Sequence, residues 1–351
     1  MYFLSLAKRF GAYIAVFMGT CFLAYLLAGC GNARNIFGKN SDAGGDAKTA
    51  AERITLATWN VQTFFDAHTD GTEYADFKKA GNWGREKYLV RLERLCNVMT
   101  ALNADVFVLE EIENEAVVLD IANYLAGKNW SKSKKWNYAF FAKEDGSAIG
   151  CAVFSRRRIA DVTVHSMDIR CQKTAQPQCR PIVRFSVEAG GRQLWILANH
   201  WKSKLGANES RIWRQWQESV AAQSIAGLDA VILCGDFNQD ALEFFCDFSG
   251  IGQTANTVFR NAGTDGVNLV RLYSPWFTQN GAFSTKIGSY FYQGEWERID
   301  HIFSGGSAKI EMFSPRAEEP WADSDGKPIP YKIYNGGGYS DHLPLMCTVS
   351  F

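Results

Sequence analysis

From about Arg53 onward the chain is a series of short apolar runs, most of which end in polar residues. Alternation or a continuous apolar run predicts strands at Ile54–Val61, Asp105–Leu109, Tyr138–Phe141, Cys151–Phe154, Asp161–Val164, Ile182–Phe185, Leu194–Ala198, Ala230–Leu233, Arg298–Phe303 and Leu345–Phe351. Helical spacing appears over Arg85–Leu102, where Leu89, Leu92, Leu95, Cys96, Met99 and Leu102 share a face. It returns over Glu113–Leu125 and over Asn208–Leu228, with Asn208 placed as N-cap, and in a short piece at Ala241–Phe248. Residues 251–293 are the least regular. Strands outnumber helices, and many follow one another with no room for a crossover helix. That excludes a doubly wound parallel sheet. It predicts an α/β (α+β) sandwich of two mostly antiparallel sheets flanked by helices.

The most informative stretch is Cys234-Gly235-Asp236-Phe237-Asn238, directly after the run Ala230–Leu233. Glycine lets the chain turn where a buried strand ends. Asp236 and Asn238 are two apart, so in extended chain their side chains point the same way. An Asx turn is the plain structural account of such a pair. Similar groups recur, however, at other strand ends: Asn60, Glu111, His200, Asp300, and Asp341 with His342. A hydrophobic core has no use for so many carboxylates and imidazoles unless they are paired or hold a metal.

Ahead of the domain, Lys8 and Arg9 precede an apolar stretch from Phe10 to Leu27 that ends Leu27-Ala28-Gly29-Cys30. This is an export signal by its layout. Its end resembles the lipobox of bacterial lipoproteins, in which the cysteine is lipidated. The expected division is a signal peptide over 1–29, lipidated Cys30 with a flexible tether over 30–52, and one domain over 53–351. An uncleaved anchor is the alternative, and either reading places the domain outside the cytoplasm, on a membrane. Cys96, Cys234 and Cys347 read as buried thiols, whereas Cys171 and Cys179 bracket a loop that a disulfide would close. The formal net charge is zero, so no global basic field marks the chain as a sequence-independent DNA binder.

Taken together, Thr58-Trp59-Asn60, Leu109-Glu110-Glu111, Asn199-His200, Gly235-Asp236-Phe237-Asn238, Ile299-Asp300-His301 and Ser340-Asp341-His342-Leu343-Pro344 resemble the ordered motifs of the endonuclease/exonuclease/phosphatase superfamily. The resemblance spans Ile54 to Phe351 and implies a four-layered sandwich of the DNase I type. It implies Glu111 as a metal carboxylate with Asn60 beside it, and Asp341 as a second acid near the metal. Asp236 and Asn238 would orient the attacking water and hold the phosphate. His342, oriented by Asp300, would contact the scissile phosphate, and His200 would stand near the leaving group. Arg180 would reach a phosphate. Two departures stand out: Glu110 where many members have Gln, and Gln62 where some have another metal-site Asp. The second favours one Mg²⁺ or Mn²⁺ ion over two.

The runs Leu109–Asn114 and Asn199–Lys204 resemble secreted bacterial nucleases most, which makes nucleic acid the expected substrate. Lys202 and Lys204 are candidates to hold a polyanion, and Trp201 to stack a base; Trp213 and Trp216, at helical spacing, fit the core better. A lipid phosphodiesterase or phosphatase, of the sphingomyelinase or phosphoinositide type, is the alternative, with Tyr290–Trp296 as an interfacial loop. A non-catalytic surface-binding lipoprotein is the other. His301 is expected to face away from the site, and His68 and His165 to be structural or exposed. No protein partner is implied, and a monomer is expected.

Overall fold

The computed structural model describes residues 15–18, 25–26, 52–127, 135–167, 177–244, 257–263 and 266–351. In chain order the elements are β1 (Ala15–Met18), β2 (Tyr25–Leu26), β3 (Arg53–Phe64), α1 (Ala75–Lys79), α2 (Arg85–Leu102), β4 (Val106–Ile112), α3 (Glu115–Ala126), β5 (Tyr138–Ala142), β6 (Gly150–Ser155), β7 (Ile159–His165), β8 (Ile182–Ala189), β9 (Arg192–His200) and α4 (Ala207–Ser224). There follow β10 (Ala230–Asp236), β11 (Thr257–Gly263), β12 (Gly266–Leu272), β13 (Tyr290–Tyr292), β14 (Glu295–Glu297), β15 (Asp300–Gly306), β16 (Lys309–Pro315) and β17 (Leu345–Ser350).

The main sheets run β16-β17-β3-β4-β6-β5-β1-β2 and β15-β10-β9-β8-β7. Side-chain alternation decides how they stack. Along β3 and β4, Leu56, Val106 and Val108 point inward to meet Phe185, Ile196 and Ile232 of the other sheet. Their neighbours Ala57, Phe107 and Leu109 point outward, under Leu92, Leu95, Val117 and Ile121 of α2 and α3. Leu197, Val231 and Leu233 likewise face Ala221 and Ala222 of α4. The result is helix, sheet, sheet, helix: the four-layered sandwich that the pattern predicts.

Each sheet contains one parallel pair, β3 with β4 and β9 with β10; the other pairs in the two sheets are antiparallel. A parallel pair needs a crossover, and α2 and α4 supply them. The carboxyl ends of these four strands therefore lie at one edge of the sandwich. β17 and β15 run antiparallel to β3 and β10, so their beginnings reach the same edge. That topology gathers the six polar strand ends.

Several local expectations need correction. The N-cap of α4 is Gly206, not Asn208, and it makes no side-chain cap bond. Leu89 is exposed, while Tyr88 and Arg91 are buried on α2. The helix expected after Ala241 is, among the described residues, a 3-10 turn over Ala241–Glu243, closed by a reciprocal Asp240–Glu243 cap. The least regular region holds the hairpins β11-β12 and β13-β14, and β16 is a further strand the pattern did not announce. Cys96, Cys234 and Cys347 are buried thiols. Cys179 is buried too, but Cys171 lies outside the described residues, as do Cys30 and the tether up to Ala51. Among the described residues no helix is long and apolar enough to cross a membrane.

Candidate active site

Asp236 is the hub. It ends β10 opposite His200 on β9 and Asp300 on β15, and is 2% exposed. Gly235 makes this possible: its φ is +128°, and a Cβ there would lie 1.9 Å from the Asn199 carbonyl oxygen. Past Asp236 the strand stops. Asn238 has a φ of 48°, and its backbone N–H and side-chain amide both donate to Asp236, at 2.8 and 3.0 Å. The pair therefore meets through an Asx turn rather than along a straight strand. The Asn238 amide also donates to the Trp201 carbonyl at 3.1 Å.

Asn60 ties the two sheets together. Its amide nitrogen donates to Asp236 Oδ2 at 3.0 Å and to Glu111 Oε1 at 3.2 Å. Its oxygen accepts from the Gln62 N–H at 2.9 Å, so Asn60 presents nitrogen, not an oxygen ligand, to the carboxylates. Gln62 turns its side chain to the Tyr331 backbone, accepting at 2.6 Å and donating at 3.3 Å. Glu111 sits at a break in the β4 register with a φ of 67°. Its Oε2 accepts from the Thr63 N–H at 2.5 Å.

His200 Nε2 lies 3.7 Å from both Glu111 Oε1 and Asp236 Oδ2. Burial first, then the charges of Arg180, His342 and Lys202, hold this imidazole well below its usual range. It is neutral, and those two approaches are not ion pairs. Two carboxylates thus face one another across neutral groups.

On the other side of Asp236, His342 Nδ1 donates to Asp300 Oδ2 at 2.8 Å. Burial works against its charge, but the Asp300 carboxylate and its hydrogen bond outweigh that and raise the imidazole well above its usual range. His342 is an imidazolium. Ser340 fastens its loop to β3 by donating to the Asn60 carbonyl at 2.6 Å, and Trp59 donates to the His342 carbonyl at 2.9 Å. Asp341 adds its negative charge beside His342 and Tyr290. Burial, and then the charge of Asp300, push the Asp236 carboxyl up to about 7, while His342 and the Asn238 and Asn60 amides pull it down.

Asp236, Asp300 and His342 each offer an atom within 4.8 Å of the others. Asp300 and His342 are already engaged with each other, however. Glu111, facing Asp236 across neutral groups, is the better oxygen donor for a hard divalent ion.

The remaining candidates divide. Arg180 stands near His200 and donates to the Tyr74 hydroxyl at 3.2 Å. Lys202 is half-buried with its amine on the Ser203 hydroxyl at 3.0 Å. Lys204 is occupied by Glu297 at 2.8 Å and Glu243 at 3.4 Å. Trp201 is wholly buried in an aromatic cluster with Phe237 and cannot stack a base, whereas Trp216, expected in the core, is 42% exposed. His301 lies on the opposite face, stacked on Phe303. His68 is exposed.

Glu110 explains its own departure from glutamine. It is wholly buried between the sheets, and burial, with the Asp300 and Asp236 charges, pushes its carboxyl well above the usual range. A neutral glutamic acid presents a donor and an acceptor, as glutamine does. Thr58 donates to it at 2.7 Å.

Arg91 was not anticipated. It is 2% exposed, and its guanidinium donates to the carbonyls of Val61, Gln62 and Thr63, at 2.9 Å to Val61 and 3.0 Å to Thr63. It thereby holds the left-handed turn that supplies the Thr63 N–H to Glu111. The available signal was an arginine on the inward face of α2, one turn before Leu95.

The profile of the Endonuclease/Exonuclease/phosphatase family matches residues 57–342. The chain belongs to that family. Its members are hydrolases of phosphoester bonds. Nocturnin of Drosophila melanogaster is 26% identical over 207 residues, 56% of this chain; the chain spans only 30% of that relative's length. The structure is similar to D. rerio TDP2 complexed with a single-strand DNA product, at a TM-score of 0.51, 18% identity and coverage of 85% of this chain and 99% of that one. It is similar also to a Bacteroides thetaiotaomicron mannosyl-6-phosphatase, at a TM-score of 0.50, 15% identity and coverage of 85% and 100%. At these identities the structural likenesses speak for the fold alone.

Proposed function

We propose that this family member is a Mg²⁺-dependent nuclease, anchored outside the cytoplasm through a lipidated Cys30, with β1 and β2 removed along with the signal peptide so that the mature sheet ends at β5. The observation that carries the hydrolytic reading is the pairing around Asp236: a carboxyl near neutrality between an imidazolium, His342, and a second carboxylate, Glu111. Phosphodiester hydrolysis needs a water held in line, positive charge on the phosphoryl oxygens and help for the departing oxygen.

Asp236 holds the water and takes its proton, with Asn238 fixing the carboxylate. His342 donates from Nε2 to a phosphoryl oxygen while Asp300 keeps it charged. His200, neutral and buried, stands where the leaving oxygen departs. Arg180 and Lys202 bring positive charge to the flanking phosphate. Glu111, with Asp341 on the same rim, would hold the divalent ion, which when bound supplies charge neutralisation at the phosphate.

Nucleic acid is favoured over lipid by the hairpin β13-β14. Tyr290 packs on His342, ring centroids 4.8 Å apart, and Tyr292 stacks on Tyr290 at 6.0 Å with half its surface open. That suits an unpaired base next to the scissile phosphate. Phe291 and Trp296 are packed on each other, so the stretch is not a free apolar loop for a bilayer. The test is one substrate panel, with Mg²⁺ and with EDTA: duplex DNA, single-stranded DNA, RNA, sphingomyelin, phosphoinositides and a sugar phosphate. Mg²⁺-dependent cleavage of a nucleic acid, absent in Asp236→Asn, is expected. Turnover of lipid or sugar phosphate alone overturns the substrate, and no turnover at all favours the binding-lipoprotein alternative. An unmodified mature N-terminus in mass spectra of the exported protein would refute the anchor.

A further inference from the structure

A second cluster of carboxylates lies apart from the residues gathered at Asp236, in the loop after β3. Asp70, Glu73 and Glu113 each place a carboxylate oxygen within 4.8 Å of the others. The first two belong to the loop and the third follows β4, so the cluster joins two parts of the fold that are 40 residues apart.

Carboxylates in a surface loop are ordinary, and alone they signify nothing. Glu113 is different. It is 1% exposed, its Oε2 accepts from the Asp66 N–H, and its Oε1 is enclosed with no hydrogen-bond partner. Glu73, 6% exposed, is oriented by the N–H groups of Asp70 and Gly71 at 2.6 and 3.0 Å. Among the described residues no lysine or arginine forms an ion pair with any of the three; Lys143 and Lys78 reach Asp70 only through their charge, and the Lys78 amine donates to the Gly71 carbonyl at 2.7 Å. Asp66, a fourth acid at this edge, is spent on the His68 N–H and the Asn114 amide. An enclosed carboxylate oxygen without a donor is costly unless a cation or a proton meets it.

We propose that Asp70, Glu73 and Glu113 form a calcium site distinct from the hydrolytic centre. The donor set selects the ion. Three carboxylates supplied by the protein alone suit Ca²⁺, which takes many protein oxygens in flexible geometry, better than Mg²⁺, which keeps several of its own waters. The ion would clamp the loop to the start of α3. The loop ends at Tyr74, whose hydroxyl accepts from Arg180, so the clamp also fixes the support of that arginine.

The test is calcium titration of the full chain by calorimetry in the Glu111→Gln background, which removes the carboxylate assigned to the hydrolytic centre. One calcium per chain is expected to remain. Adding Asp70→Asn, at an exposed position that does not endanger folding, is expected to weaken it by about tenfold or more, since calcium affinity follows the number of charged ligands. Adding Glu113→Gln is expected to abolish it. Absence of calcium binding in Glu111→Gln, or binding that Asp70→Asn leaves unchanged, overturns the assignment.

Discussion

The two β-α-β crossovers bring polar groups to the same edge by opposite means. In β9-α4-β10 the strands stay in register to their last residues, Gly235 beside Asn199 and Asp236 beside His200, and both side chains at the end are almost wholly buried. In β3-α2-β4 the register breaks after Asn60 and again after Glu110, and Gln62, Thr63 and Glu111 all take left-handed backbone angles. Its carboxylate is partly exposed and rests on the Thr63 N–H of a turn that buried Arg91 holds. The regular crossover fixes a group whose protonation and direction are set by its surroundings. The irregular one turns a carboxylate out toward the edge, where a ligand from solvent can reach it. Rate and ligand affinity are therefore expected to separate between the two.

The largest effect belongs to the regular crossover. Asp236→Asn keeps the shape and the Asn60 contact but removes the proton acceptor, so kcat is expected to fall about a hundredfold to ten-thousandfold with little change in the concentration of metal needed. His342→Ala is expected to cost about a hundredfold or more. Because the two act on one transition state, the double variant is expected to lose far less than the product of the single losses. Steady-state kinetics on whichever substrate is turned over, with circular dichroism to confirm folding, measure this. Multiplicative losses would mean that the two residues serve different steps.

The irregular crossover is tested through Arg91. Arg91→Met removes the donor to three carbonyls and loosens the turn that presents the Thr63 N–H to Glu111. The metal concentration for half-maximal activity is expected to rise about tenfold, while kcat at saturating metal stays within about threefold, as for other outer-shell partners. Unfolding in urea is expected to show a loss of about 1–3 kcal/mol for the carbonyls left without a donor. A fall in kcat at saturating metal as deep as that of Asp236→Asn would erase the distinction between the two crossovers.

What the sequence disclosed follows the same division. Asp236, His200, Asp300 and His342 are legible because each adjoins a strand that keeps its period, so the end of the pattern marks the residue. Helix α2 was legible to its termini because its face repeats over five turns. Arg91 was not read, since a lone arginine among apolar helical positions carries no sign that three backbone carbonyls await it. Nor was the role of Gln62, whose left-handed backbone is set by tertiary contacts with Tyr331. The base-stacking assignment for Trp201 failed because adjacency to a site residue says nothing about face: Asn199, His200 and Trp201 alternate, and Trp201 falls on the α4 side. The hairpin at 257–272 was missed because its strands are only partly apolar, and the one at 290–297 because its strands are very short.

The smallest effect on catalysis, and the sharpest check on the regular crossover, comes from His301. It adjoins Asp300 in sequence, but alternation sends it through the sheet into the aromatic cluster on the α4 side, where it is wholly buried. Its Nε2 lies 2.9 Å from the Gln239 carbonyl, which fixes Nε2 as the protonated nitrogen of the neutral ring. Burial, only partly opposed by that bond and by the Asp240 and Asp300 charges, lowers it to about 4. The folded ring thus stays neutral where the unfolded one, titrating near 6.5, takes up a proton. Its stabilising contribution is full above 6.5 and is lost as pH falls from there toward 4, about 3 kcal/mol over that window. His301→Gln keeps a donor for the Gln239 carbonyl but cannot titrate. Urea unfolding at pH 7 and at pH 4.5 is expected to show the variant gaining on the wild type by about 2–3 kcal/mol at the lower pH, with kcat at pH 7.5 within about threefold of wild type. A stability difference that does not change with pH would mean that the ring is not held neutral. Loss of activity would mean that β15 turns His301, rather than Asp300, toward the reacting edge.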